Sequence, residues 1–238
     1  MSGWRAKFGF MIPCTDTVLE SDAYRIVPNG VSVHFTRMML REVTPEALQE
    51  MAMEIEKAAM LLYMAEVDVI AFGCTSGSLI MGPEYDKDII KRILSIAPKV
   101  KATTTATAVI NALNELDLKR IVVLTPYINE VNEKEKEFLE AHNFNVLNIK
   151  GLGISKDVEI SKVSPESIYR LAKAINIPEA DGIFISCTNF RSTEIIDVLE
   201  KDLKKPIVTS NQATIWDMLK KANIKDEIEG FGKLMKRL

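Results

Sequence analysis

Histidine and cysteine are scarce in this chain. Its 238 residues include two histidines, His34 and His142, and three cysteines, Cys14, Cys74 and Cys187. The cysteines stand far apart and form no CxxC pair, which speaks against a disulfide framework or a zinc site and for reduced thiols. His34 falls inside a strand-like run and His142 ends a surface-helix pattern, so Ser-His-Asp chemistry has little to work with. No apolar run approaches the length of a membrane span, and that of the opening MSGWRAKFGFMIPCT is too short for a signal-peptide core. A cytoplasmic protein is expected. Excess charge is lacking too: the formal net charge is -3 with Lys and Arg scattered, which argues against nucleic acid as the main partner. The stretch GLGISKD, residues 151–157, lacks the last glycine of a dinucleotide fingerprint and the helix behind it. No motif for a metal, a nucleotide or pyridoxal phosphate is present, and no cofactor is expected.

What is abundant is alternation. Short apolar runs, KFGFMIP, VSVHFT, DVIAFGC and VKATTT, then RIVVLTP, FNVLNI, DGIFISC and PIVTS, are separated by longer helical patterns. That order predicts an α/β fold of parallel sheets with helices on both faces. TPEALQEMAMEIEKAAMLLYMAE reads as one long covering helix, with Thr44 as N-cap and Pro45 at its first position. The halves also match: a shift of 113 pairs Pro13 with Pro126, Glu20 with Glu133, Asp68 with Asp181, Cys74 with Cys187 and Thr75 with Thr188. This predicts an internal duplication of a four-strand βαβ unit. The expected division is residues 1–105 with about 211–238 in one lobe and 106–210 in the other.

Open α/β sheets bind ligands beyond the carboxyl ends of their strands. Pro13, Cys74, Pro126 and Cys187 are all predicted there, and a pseudo-twofold would bring the two cysteines to opposite walls of one cleft. Cys74-Thr75-Ser76-Gly77-Ser78 and Cys187-Thr188-Asn189 each place a thiol before small polar residues, whose open N–H groups would lower a thiol pKa and hold a carboxylate. A lone cysteine ending a strand is usually a small buried hydrophobe. Two at matching places favour function, with Cys74 the more acidic and more readily alkylated. Asp16, just past the first strand, is a candidate acceptor for a cysteine proton or else a helix N-cap. Tyr127, at the mirrored strand end, is a candidate donor to a substrate oxygen. Cys14 reads as structural.

With PCTDTVLE, FGCTSGS, LTPY and SCTNFRS in that order, the chain resembles the aspartate/glutamate racemase superfamily, and within it the maleate cis-trans isomerase and arylmalonate decarboxylase branch. The resemblance implies two Rossmann-like lobes with four-stranded parallel sheets, a pseudo-twofold, and a cofactor-independent site between the lobes for a small carboxylate or dicarboxylate. On the motifs, Cys74 resembles the cysteine that attacks the substrate double bond, and Cys187 the acid/base on the opposite face. Thr75, Ser76 and Tyr127 resemble the binders of carboxylate oxygens, and Thr188 and Asn189 flank the second thiol. The decarboxylases keep only the second cysteine. Two departures stand out: Asp16 where isomerases of this type usually have Asn, and Asp157 or Val158 about where another Asn would fall. The resemblance implies an isomerase; an amino-acid racemase using two-thiol proton transfer, or a silent carboxylate-binding protein, are the alternatives. Neither a nucleic acid nor a membrane is an expected partner, and a homodimer or higher homo-oligomer is left open.

Overall fold

The alternating runs assemble into two parallel sheets of four strands each. The computed structural model describes residues 3–238. β1 (Ala6–Pro13), β2 (Val31–Met38), β3 (Val69–Phe72) and β4 (Lys101–Thr104) form one sheet in the order β2-β1-β3-β4. β5 (Arg120–Leu124), β6 (Asn145–Lys150), β7 (Gly182–Ile185) and β8 (Ile207–Thr209) form the other in the order β6-β5-β7-β8. The first half carries helices α1 (Leu19–Ile26), α2 (Pro45–Met51), α3 (Ile55–Met64), α4 (Tyr85–Ile96) and α5 (Thr105–Glu115). The second carries α6 (Asn129–Ala141), α7 (Asp157–Ile160), α8 (Pro165–Ile175), α9 (Ile196–Leu203) and α10 (Ser210–Lys221). The sequence repeat is therefore a repeat of topology.

Burial explains the strand compositions. β3 (VIAF) and β7 (GIFI) are inner strands buried on both faces and read as unbroken apolar runs. β2 and β6 are edges and keep partly exposed polar residues such as His34 and Lys150. The repeated aspartate serves the strands. Asp68 Oδ2 accepts the Lys7 N–H of β1 at 2.7 Å, and Asp181 Oδ2 accepts the Arg120 N–H of β5 at 2.7 Å. Each thus satisfies a main-chain donor at the start of the neighbouring strand. The Arg120 guanidinium also bonds Asp181 and holds its carboxyl down at about 2.

The long covering helix is divided. Thr44 caps it, accepting the Ala47 N–H at 3.3 Å, but residues Ala52–Glu54 form a 3-10 turn between α2 and α3. The Arg92 guanidinium binds the Ala52 carbonyl at 2.7 Å, and the Glu54 carboxylate accepts the Met39 N–H at 3.1 Å. Tertiary partners compete there with the regular helical ladder. α5 and α10, which follow the last strand of each sheet, pack on one another, and α10 also lies against β3 and β4. Asp217 of α10 accepts hydrogen bonds from Thr103 at 2.6 Å and Asn111 at 2.9 Å. Among the described residues, no helix is long and apolar enough to cross a membrane.

Candidate active site

Both sheets present a cysteine two residues past an inner strand, Cys74 after β3 and Cys187 after β7, and both side chains are buried at 4% exposure. The first turn wraps onto its own sulfur: the Gly77 N–H donates to Cys74 Sγ at 3.4 Å, and Ser76 Oγ lies 3.9 Å from it. Gly77 is required by close approach, because a Cβ there would stand 2.7 Å from Met51 Cε and 3.0 Å from the sulfur. Cys187 differs. Its φ is 94°, a conformation costly for any residue with a Cβ, and strain of this kind persists where surrounding structure enforces it.

Ser210, the first residue of α10, ties the two turns together. Its Oγ accepts the Cys187 N–H at 3.0 Å and the Thr75 hydroxyl at 2.8 Å. Thr75, expected to face substrate, is thus bonded to protein. The Tyr127 hydroxyl donates to Cys187, favouring the thiolate, while its own pKa is pushed well above the usual phenol by burial and then by the charge of Cys187. Both thiols also feel Asp157 and Asp16. The structure therefore brings together Cys74, Ser76, Tyr127, Cys187, Asp16 and Asp157. Thr188 joins them, its hydroxyl beside Asp16 opposing the rise of that carboxyl's pKa.

Asp16 is both of the things its position suggests. Its Oδ1 accepts the Val18 N–H at 2.9 Å and the Leu19 N–H at 3.0 Å, an N-terminal cap for α1, whereas its buried Oδ2 lacks a hydrogen bond of good geometry. Burial raises its pKa to about 7, with the Leu19 N–H and the Thr188 hydroxyl opposing and Asp157 adding. Asp157 Oδ2 accepts from Thr15 Oγ1 at 2.5 Å and from Asn189 Nδ2 at 3.1 Å. The Asn189 amide is thus committed to protein, since its Oδ1 also accepts the Thr17 N–H at 3.1 Å. The loops after β2 and β6 meet beside Asp157: the Val43 N–H bonds the Ser155 carbonyl at 2.7 Å, the Asp157 N–H bonds the Arg41 carbonyl at 3.2 Å, and Glu42 pairs with Lys156.

The thiol pKa values correct the sequence argument. Burial pushes Cys74 up to about 12 against the Gly77 N–H and Ser76, with the two carboxylates adding. Burial likewise raises Cys187 well above the ordinary value. One N–H at 3.4 Å does not outweigh complete desolvation. Cys14 is only half-buried, with its Sγ on the Leu40 carbonyl at 3.2 Å, so exposure favours its alkylation over that of Cys74.

The arylmalonate decarboxylase family matches residues 8–235. The chain belongs to this family. It is 22% identical over 240 residues to the maleate isomerase of Nocardia farcinica, covering 97% of this chain and 96% of the relative. Among solved structures, a maleate isomerase from Pseudomonas putida S16 with maleate superposes with a TM-score of 0.94 at 23% identity, covering 97% of each chain. A Nocardia farcinica maleate cis-trans isomerase, a cysteine-to-serine mutant with a covalently bound succinylcysteine intermediate, superposes with a TM-score of 0.93 at 20% identity, covering 98% of this chain and 99% of that one.

In this arylmalonate decarboxylase family member, sequence reasoning missed Ser210 and Thr15, which hold the site from behind. Ser210 was within reach: aligning Thr104-Thr105 with Thr209-Ser210 places a hydroxyl after each helix-capping threonine. Thr15 had no such signal. Among the described residues, no group of His, Cys, Asp and Glu is arranged to hold a metal ion.

Proposed function

We propose that this protein is a cofactor-independent cis–trans isomerase of a small unsaturated carboxylate, acting through Cys74 and Cys187 from opposite faces. The observation that carries the reading is the convergence of two buried thiols from matching strand ends, with Tyr127 in the field of both. The family membership and the maleate isomerase relatives support it.

In this reading the Cys74 proton passes to Asp16, whose Oδ2 is free to receive it. The thiolate, supported by the Gly77 N–H and Ser76, adds to one alkene carbon while the π pair moves to the other, which takes a proton from Cys187. The former double bond is now single and rotates. Reversal returns the proton to Cys187 and expels Cys74, leaving the trans alkene and no net change in composition. The succinylcysteine held by the Nocardia relative is the kind of adduct this step forms. Tyr127 assists Cys187, Ser76 and Thr188 supply donors to the substrate carboxylate, and Thr75, Asn189 and Asp157 position the turns. The cleft lies between a lobe of residues 1–105 with about 211–238 and one of 106–210. Reduced thiols fit the cytoplasm.

The test is an NMR screen of small cis-unsaturated carboxylates in deuterated water. Conversion of a cis to a trans alkene is the expected result. Deuterium entering the α-carbon of an amino acid without alkene chemistry would instead identify a racemase.

A further inference from the structure

The helix that follows Tyr127 carries a carboxyl which the mechanism does not use. α6 turns Val131, Asn132, Glu135, Phe138 and Leu139 inward, a helical stripe in which packing asks for apolar residues, and Glu135 lies in its middle with no exposed surface. The stripe meets the ends of β5 and β7. Asn132, one turn before Glu135, donates to the Tyr127 carbonyl at 3.2 Å, and the Ser186 N–H past β7 bonds the Leu124 carbonyl of β5 at 2.8 Å. The Ser186 hydroxyl stands beside the Glu135 carboxyl, and Ser186 immediately precedes Cys187 with its positive φ. Tyr127, whose hydroxyl favours the Cys187 thiolate, feels the charge of Glu135 in turn. Glu135 thus stands behind both Tyr127 and Cys187.

Packing alone does not account for an acid here. Under the repeat Glu135 matches Asp22, which Thr193 and Asn211 bond, but the positions matching those two partners hold Ile80 and Ala106, which have no side-chain donor. Neither Glu135 oxygen nor the Ser186 hydroxyl makes a hydrogen bond of good geometry. A buried carboxyl held so weakly costs stability that a leucine at the same place would not. We infer that Glu135 is a positioning residue of the isomerase site: as a neutral acid it leaves the Tyr127 hydroxyl to support the thiolate that forms at Cys187, and once ionised it opposes that thiolate and suppresses turnover. The inference rests on the isomerase reading and deepens it. When Cys187 gives its proton to the substrate carbon, negative charge arrives on its sulfur. A carboxylate facing Tyr127 in the same water-free interior repels that charge and tightens the hold of Tyr127 on its own proton. The groups facing Glu135 are the Ser186 hydroxyl and Tyr127. Among the described residues no charged side chain acts on its titration, and the lysines of α6, Lys134 and Lys136, turn outward to Glu137 and Glu140.

Asp16, raised to about 7, has to be ionised to take the Cys74 proton, so turnover rises with pH through that range. Glu135, raised to about 8, has to be neutral, so turnover falls above it, while burial keeps Cys74, Cys187 and Tyr127 protonated well beyond. The test follows conversion of maleate to fumarate by NMR in the wild type, Glu135→Gln and Tyr127→Phe from about pH 6 to about pH 9.5, with circular dichroism checking the fold at each pH. The wild-type kcat is expected to fall about tenfold between about pH 7.5 and about pH 9.5 with KM nearly constant, because Glu135 does not touch the substrate. Glutamine has no proton to lose in this range. Glu135→Gln should therefore keep the rising limb and lack the falling one. In Tyr127→Phe the fall should shrink, since the group through which Glu135 acts is gone. A folded wild type without a falling limb, or a fall unchanged in Glu135→Gln, would overturn the inference and leave the isomerase reading standing. A fall of the same size in Tyr127→Phe would overturn the route through Tyr127. A wild type that neither converts maleate nor forms an adduct with it by intact mass would overturn the isomerase reading and the inference with it.

Discussion

Cys187 carries a positive φ that Cys74 does not, so the two thiols of the duplicated frame are not equivalent. Serine keeps their shape but is a much weaker nucleophile and acid at neutral pH. Cys74→Ser and Cys187→Ser should each lower kcat by about a thousandfold or more with folding retained. Intact mass should separate them: Cys187→Ser still forms a substrate adduct and stalls, and Cys74→Ser forms none. Another inequality lies behind the thiols, where Asp22 of α1 and Glu135 of α6 match under the repeat and are both buried. Asp22 accepts from Thr193 at 2.7 Å and Asn211 at 2.8 Å. At the place of Asn211 the other half has Ala106, which offers no side-chain donor, and neither carboxyl oxygen of Glu135 makes a hydrogen bond of good geometry. Burial raises Glu135 to about 8, so its neutral form is favoured by folding. The stability this gives is complete below the unfolded carboxyl range and is lost as pH rises through about 8. Glu135→Gln, neutral throughout, should remove on the order of several kcal/mol of the wild type's decline between about pH 5 and about pH 9, read by urea denaturation.

At the scale of elements, α10 does more than cover a sheet. Thr209 and Gln212 form a reciprocal capping box at its start, which fixes Ser210 in the first turn, where one hydroxyl serves both cysteine loops. Ser210→Ala would leave the buried Cys187 N–H without its acceptor and Thr75 without its partner, at a cost of about 1–3 kcal/mol. Loss of stability in urea should be accompanied by a fall in kcat of about tenfold, because the strained Cys187 turn is then free to relax. Ser210→Thr, which keeps the hydroxyl, should recover more of kcat than Ser210→Ala.

On the scale of the whole molecule, the loops after β2 and β6 bond to one another beside Asp157, and the thiols of Cys74 and Cys187 are buried. Brief iodoacetamide treatment followed by peptide mapping should therefore label Cys14 ahead of Cys74 and Cys187. Val43→Pro removes the N–H that bonds the Ser155 carbonyl at 2.7 Å and should speed labelling of both buried thiols relative to Cys14. Unchanged labelling would mean that this contact does not limit access to them.

The sequence by itself determined the eight strands, their parallel pairing into two matching halves, and the pair of cysteines at matching strand ends. All of these follow from local apolar runs and from a repeat that aligns without tertiary information. The Asp68 and Asp181 signals were legible for the same reason, although their role at the neighbouring strand starts needed the sheet. What only the tertiary structure decided is the balance of opposing forces at each group. Whether a thiol is acidified by a turn or neutralised by burial depends on how closely distant segments exclude water, and at Cys74 burial prevails. Whether Thr75 and Asn189 face a ligand or the protein depends on Ser210, Thr17 and Asp157, which come from other parts of the chain. The double character of Asp16, one oxygen capping its own helix and the other buried without a hydrogen-bond partner, arises because its near partners are set by sequence and its far surroundings only by packing.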